Sequence, residues 1–448
     1  MACSCAVEYL SMSKPRSLVS DNIKLLDVVK RNVDERVKGV FDDSCLCEDG
    51  HVLSFNEQVA IVTHYLQLSN DESYGKSYKQ KASSLLKLWY DFVNGTPKED
   101  NRKDCVCEDI FYSSLFNEII SAPFSGPSSH SFTFIDLFAG IGGFRIAMQD
   151  CGGKCVYSSE WDENAQKTYY YNFGEVPFGD ITREYTKGLI PDGFDVLCAG
   201  FPCQAFSVAG YRRGFEDTRG TLFFDVAEII RRKRPKAVYL ENVKNLYTHD
   251  NGRTFEVIKT TLEELGYVVF HKVMNAMEYA NVPQNRERIF IVCFDPKQVR
   301  NYSRFAFPEK EPLVSTIHSC IDYSVKDKKF FYGDKMGHIE EIRAGVVSKD
   351  TIYQWRRQYV RENKSKVCPT LTANMGTGGH NVPLILTDDG IRKLTPKECL
   401  NFQGFPINYS FPTSMADSAK YKQAGNSVVV PLIKKVCKNI VTTILENS

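Results

Sequence analysis

An α/β fold, a parallel sheet with helices on both faces, is predicted by two observations in this 448-residue chain. Short apolar segments alternate with helix-length segments from Phe132 to Cys293, and such alternation builds parallel sheets covered by crossover helices. The first segment also runs straight into a glycine turn that opens a helix, Ala139-Gly140-Ile141-Gly142-Gly143, where backbone N–H groups can face a ligand. A helical N-terminal domain and a small irregular domain complete the expected architecture.

In chain order, Ile23, Leu26, Val33 and Val37 recur at helical spacing over 22–40, and 56–68 and 83–93 behave alike. Gly, Pro and Ser then cluster at 121–131, so residues 1–125 read as a helical extension ending in a linker. Five strands follow, Phe132–Phe138, Lys154–Ser158, Phe194–Ala199, Ala237–Glu241 and Arg288–Cys293, within a domain of 131–300. From 301 to 390 the regularity fails among exposed aromatics, basic residues and glycines. Helical pattern returns at Pro396–Gln403 and Val429–Thr442, so 391–448 is expected to pack back on the first sheet.

Lys and Arg number 56 against 55 Asp and Glu, and 43% of residues are hydrophobic. Disordered, collagen-like and fibrous classes are excluded. The net charge of +1 hides an asymmetry: residues 1–130 carry 14 basic and 19 acidic side chains, the remainder 42 and 36. The later part therefore meets the more anionic partner. Fifteen cysteines leave at least one unpaired, and the Met-Ala-Cys-Ser-Cys start carries no export pattern, so a reducing cytoplasm is expected. No apolar run has the length of a membrane span. Cys3/Cys5, Cys45/Cys47 and Cys105/Cys107 are Cys-x-Cys pairs with only His51 near any of them; plain thiols are expected, and no metal.

Glu160 stands 20 residues after Gly140, at the end of the second strand, where a carboxylate can accept both hydroxyls of an adenosine ribose. A dinucleotide and S-adenosylmethionine (AdoMet) both fit such a unit. Arg145 occupies the third glycine position of the dinucleotide fingerprint, which weakens the first. Trp161 offers a face to adenine, with core packing as its alternative, and Asp180 an acceptor for the adenine amino group.

Cys203 in Gly200-Phe-Pro-Cys-Gln204 follows the third strand, at the edge where open α/β sheets place their chemistry. A thiol becomes a nucleophile when the thiolate is favoured or the product is protonated as it attacks; Cys198, inside the strand, reads as an inert thiol. The next strand ends in Glu241-Asn-Val243, a carboxyl able to donate a proton if burial raises its pKa. Gln284-Asn-Arg286-Glu-Arg288 adds fixed cations at the same edge.

Over residues 131–440 these strings stand in the order found in DNA (cytosine-5)-methyltransferases of bacterial restriction-modification type, which the chain resembles. The resemblance rests on Phe-Ala-Gly-Ile-Gly-Gly (138–143), Gly-Phe-Pro-Cys-Gln (200–204), Arg-Gly-Thr-Leu-Phe-Phe-Asp (219–225), Glu-Asn-Val (241–243), Gln-x-Arg-x-Arg (284–288), Arg-Lys-Leu-Thr-Pro-x-Glu-Cys (392–399) and Gly-Asn-Ser-Val (425–428). It implies the Rossmann-like sheet of AdoMet-dependent methyltransferases. It also implies that Cys203 adds to C6 of a flipped cytosine, that Glu241 contacts N3, that Arg288 holds O2 and Glu241, and that Arg286 and Gln284 support that edge, a structural salt bridge being the alternative for Arg286. AdoMet would be held by Phe138, Gly140, Ile141, Gly143, Glu160, Trp161, Asp180, Ile181, Pro202, Leu222, Asn426 and Val428.

A base in a duplex must leave the stack to react. The glycine-punctuated stretch 204–221 reads as a loop closing over it, with Gln204, Ser207, Arg212 and Arg219 toward DNA and solvated loop charges as the alternative. Within 301–390, the family's target-recognition domain, Tyr353–Lys366 holds five basic residues and one acid interleaved with aromatics. Arg356, Arg357, Thr370 and Thr372 are the candidates for phosphate and base contact. Arg231–Arg234 reads as a solvated helix end. The expectation is thus a site-specific DNA cytosine-5 methyltransferase, monomeric, cytoplasmic in a bacterium or phage-encoded and at the nucleoid in use, and the protective partner of a restriction enzyme. A tRNA-specific relative and a non-catalytic DNA-binding regulator are the alternatives.

Overall fold

The computed structural model describes residues 53–69, 71–94, 108–202, 222–334, 337–356, 358–376 and 382–446. The helix expected over 22–40, the Cys-x-Cys pairs and the loop 203–221 lie outside the described residues.

Six strands form the main sheet: β1 (Phe132–Leu137), β2 (Gly153–Ser159), β3 (Val196–Ala199), β4 (Ala237–Val243), β5 (Val268–Asn275) and β6 (Glu287–Phe294). Their order is β2-β1-β3-β4-β6-β5. The first four run parallel, whereas β6 is antiparallel to both β4 and β5. The expectation of a parallel sheet therefore holds for five strands and fails only at β6. β5 is the strand parallel to β4, and it escapes sequence reading because His271 and Lys272 interrupt its apolar run on a half-buried edge. The link from β5 to β6 is too short for a helical crossover, so β6 turns back antiparallel.

One sheet face carries Phe132, Phe134, Cys198 and Tyr239 under α4 (Gly143–Gln149) and α10 (Val430–Leu445). The other carries Ile135, Leu137, Tyr157, Leu197 and Leu240. Onto that second face pack α6 (Leu222–Lys233), α7 (Arg253–Glu264) and the N-terminal helices α1 (Phe55–Leu68), α2 (Glu72–Asn94) and α3 (Glu108–Ile120). Ser54 and Glu57 start α1 with a reciprocal capping box. The Nε1 of Trp89, a fully buried side chain, donates to Gln58 Oε1 at 3.0 Å. The segment 121–131, expected as a linker, is tied down by Phe124 N donating to Asn172 O. The helices and the sheet thus share one apolar cluster.

A second sheet, ordered β10-β9-β7-β8, joins β7 (Tyr353–Trp355), β8 (Val360–Glu362), β9 (Leu384–Thr387) and β10 (Gly390–Lys393) around Ile342, Tyr353, Trp355 and Leu384. It runs three residues past position 390. Then α8 (Pro396–Phe402) begins at a Thr395/Glu398 capping box, with Glu398 also paired to buried Arg392 at 2.7 Å. After α9 (Asp417–Asn426), α10 returns under the main sheet, where Tyr409 Oη donates to Ile141 O at 2.6 Å. Among the described residues no helix is long and apolar enough to cross a membrane.

Candidate active site

The turn after β1 is built from positive-φ residues: Phe138 at 54°, Gly140 at 55° and Gly142 at 77°. A non-glycine residue there costs about 1 kcal/mol or more, so Phe138 is held by its surroundings. Glu160 fastens the turn to the end of β2. Its Oε2 accepts from Gly140 N and its Oε1 from Asp162 N, both at 2.8 Å. Burial nevertheless raises the Glu160 pKa against those backbone bonds. Trp161 beside it is 77% exposed, which excludes core packing. Asp180 is exposed and accepts from Thr182 N and Oγ1, while Ile181 is buried. A Cβ on Gly143 would lie 2.6 Å from Val428 Cγ2, so the C-terminal return closes on the turn where only glycine fits. Asn426 is exposed at the end of α9; Pro202 is exposed and Leu222 half-buried.

At the neighbouring strand ends, Asn242 Nδ2 donates to Phe201 O at 2.8 Å. A Cβ on Gly200 would sit 3.8 Å from Glu241 Oε2. The chain therefore leaves β3 beside Glu241 and passes through Pro202 to Cys203, which lies outside the described residues, as do Gln204, Ser207, Arg212, Arg219 and Arg357. Arg288 Nε meets Glu241 Oε1 at 3.0 Å. Burial lifts the Glu241 pKa, opposed by the Arg288 and Arg286 guanidiniums. Cys198 is fully buried, which pushes its thiol pKa well up.

Among the described residues Arg286 forms no salt bridge, the alternative reading of it. It is 3% exposed, and its guanidinium donates to three carbonyls: Leu371 O at 2.8 Å, Gly425 O at 3.1 Å and Ser427 O at 2.6 Å. Gln284 works beside it, donating to Phe402 O and accepting from Leu371 N. A Cβ on Gly425 would fall 2.2 Å from the Thr372 carbonyl, so two backbones touch there.

Thr370 Oγ1 donates to Asn285 O, and exposed Thr372 bonds Asn374. Arg356, Arg361, Lys364 and Lys366 are exposed, and no carboxylate partners them among the described residues. Other cations nearby are neutralised, in the pairs Lys326–Asp389, Lys329–Asp417, Arg343–Asp334 and Lys349–Asp388. The run at 231–234 is likewise engaged, Arg232 with Glu184 and Glu228, Lys233 with Asp192, Arg234 with Asp295.

Three buried groups escaped sequence reading. Asp136 on β1 has both carboxylate oxygens unpartnered, and burial carries its pKa to about 8. Arg145, just after the glycines, pairs with Glu175 at 2.7 Å. His64 reaches Ser158 from α1. Asp136, inside an apolar strand, and His64, on an apolar helix face, carried a signal of burial in the sequence; Arg145 stood out only as a departure from the dinucleotide fingerprint.

A doubly covered α/β sheet brings a glycine turn, a backbone-held carboxylate and a carboxyl–guanidinium pair to one edge, an arrangement suited to a nucleotide-type cofactor beside an acid–base group. Residues 132–442 match the family described as C-5 cytosine-specific DNA methylase. The chain is 51% identical over 313 residues to the type II methyltransferase M.Bsp6I of Bacillus sp. (strain RFL6), spanning 69% of this chain and 98% of that protein. It is 45% identical over 323 residues to M.HhaI of Haemophilus parahaemolyticus, spanning 68% and 93%. Its fold resembles that of a Spodoptera frugiperda DNMT2 mutant, with a TM-score of 0.53 at 20% identity over 69% of this chain and 99% of that one. The chain belongs to the C-5 cytosine-specific DNA methylase family and is a DNA (cytosine-5)-methyltransferase. Membership implies AdoMet as methyl donor and DNA as substrate.

Proposed function

We propose that the protein methylates C5 of a cytosine flipped out of a specific duplex site, through a covalent adduct with Cys203. The observation that carries this reading is the buried Glu241–Arg288 pair at 3.0 Å, beside the backbone that leads into Cys203. An aromatic C5 is a poor nucleophile; addition of the Cys203 sulfur at C6, with a proton delivered at N3 by Glu241, turns it into an enamine carbon. Arg288 holds Glu241 and the base's O2. Once C5 carries the methyl group, loss of its proton expels the thiolate and restores the ring.

AdoMet, when bound, supplies an electrophilic methyl group. The residues fit it: Glu160 is a carboxylate at the ribose position, Trp161 presents an exposed face, and Gly140, where a Cβ would meet nothing nearer than 4.0 Å, leaves room for a close backbone approach. Asp180 and Ile181 would take the adenine edge, with Ile141, Pro202, Leu222, Asn426 and Val428 closing around the ligand. Residues 131–300 and 391–448 then form the catalytic unit, and 301–390 reads the site. The unpaired cations Arg356, Arg361, Lys364 and Lys366 support DNA contact there, with Arg357, Thr370 and Thr372; Gln204, Ser207, Arg212 and Arg219 follow the nucleophile.

Methyl transfer to duplex DNA and to tRNA by wild type and Cys203→Ser tests this. Activity on DNA, lost in the variant, with a stable adduct on 5-fluorocytosine DNA, is expected; an active serine variant overturns the mechanism. Bisulfite sequencing of DNA from an expressing host identifies the site. Resistance of that DNA to an endonuclease cutting the same site tests the restriction-modification role.

A further inference from the structure

The β2 edge of the main sheet is closed by helices that lie outside the family match of 132–442. Alternate residues of β2 point their backbone groups outward, and N-terminal side chains meet Val156 O and Ser158 N, with a side-chain ion pair at Lys154. Lys154 pairs with Asp71 at 3.8 Å, Tyr78 Oη donates to Val156 O at 3.4 Å, and Ser158 N donates to His64 Nε2 at 3.2 Å. His64 Nδ1 lies 2.8 Å from Ala60 O. A carbonyl only accepts, so Nδ1 carries the hydrogen and Nε2 the lone pair. Glu175, whose Oε1 is 3.3 Å from Nε2, is itself held by Arg145 and by Ser158 Oγ. The His64 ring also stacks on Phe178, centroids 4.2 Å apart. Phe178 N donates to Ser158 O, and Glu160 N donates to Phe178 O.

We propose that His64 is a positioning residue for the cofactor: as a neutral acceptor behind β2 it holds the strand end that presents Glu160, and through Phe178 the turn that presents Asp180. The N-terminal helices thereby set AdoMet affinity and leave the chemical step untouched. This rests on reading Glu160 and Asp180 as cofactor residues, and Glu160→Gln serves as the control for that reading.

The two amide variants of His64 in the full chain separate the proposal from a bulk packing effect. In His64→Gln the amide oxygen reaches the place of Nε2 and can accept from Ser158 N. In His64→Asn the amide reaches only the place of Nδ1, so it keeps the Ala60 bond and loses the other. KM for AdoMet should stay within about twofold of wild type in His64→Gln and rise at least about 5-fold in His64→Asn, the lower end for a buried donor left unpaired. The kcat at saturating AdoMet and the KM for DNA should be unchanged in both. Equal KM for the two variants, or a loss confined to kcat, overturns the proposal. If His64→Asn does not fold, Phe178→Leu loosens the same stack with the acceptor intact, and it must raise KM for AdoMet alone or the proposal falls. If Glu160→Gln leaves AdoMet binding unchanged, it is the cofactor reading that fails.

Discussion

Arg286 Nη2 stands 2.6 Å from the carbonyl oxygen of Ser427, while Nη1 of the same guanidinium holds Leu371 O. A single buried cation thus ties the segment before Thr372 to the segment before Val428.

Arg286→Lys cannot reproduce this. An ammonium on a shorter reach satisfies one carbonyl of the three, and each buried polar group left unpaired costs about 1–3 kcal/mol. Thermal unfolding should show a loss of at least about 2 kcal/mol, and titration with S-adenosylhomocysteine a weaker affinity. An unchanged midpoint and affinity would show the carbonyl clamp to be dispensable.

The proposed proton delivery by Glu241 predicts a pH limit on the rate. Its carboxyl is held above the ordinary range by burial, so the protonated form persists to higher pH than for a free glutamate and is lost as pH rises through that raised value. Single-turnover methylation should therefore decline on the alkaline side. Glu241→Gln should lower the rate about 10²- to 10⁴-fold and remove that limb.

Asp136 should make the fold less stable as pH rises. Its unfolded pKa is about 3.9, and burial takes the folded value to about 8. Stability from the protonated carboxyl is complete below the unfolded value, and it declines as pH rises until the folded group ionises near the upper one. Asp136→Asn, which keeps the shape and removes the titration, should gain melting temperature over wild type at pH 8, with the gain shrinking toward pH 5. A gain that does not vary with pH would contradict this.

The exposed cations Arg356, Arg361, Lys364 and Lys366 have no acidic partner among the described residues. Each that meets a phosphate contributes about one unit to the slope of log affinity against log salt. Lys364→Ala and Lys366→Ala should each flatten that slope by about 1 in duplex binding, at little cost in melting temperature. An unchanged slope would remove the residue from the interface.

Local pattern carried the glycine turn, four parallel strands, α8 and α10 into the sequence reading, because strand and helix periodicity and capping are short-range. What sequence could not show is long-range. β5 is hidden by His271 and Lys272, and with it the reversal of β6. Residues 121–131 have a linker's composition, yet backbone bonds from Phe124 N to Asn172 O and from Ser131 N to Gly152 O hold them on the fold. Glu160 was legible from its spacing to Gly140, whereas the carbonyl partners of Arg286 lie 85 to 141 residues away. His64 sits on an apolar helix face and shows its partner only when β2 is in place.

The closure of β2 by α1 and α2 also changes what counts as the minimal folding unit. A chain cut back to Phe132 would keep every residue of the family match. It would also bare an apolar face and an open row of strand N–H and C=O groups, the template on which chains pair edge to edge and aggregate. The helices α1 and α2 are, in this light, a cover against edge-to-edge pairing as much as a brace.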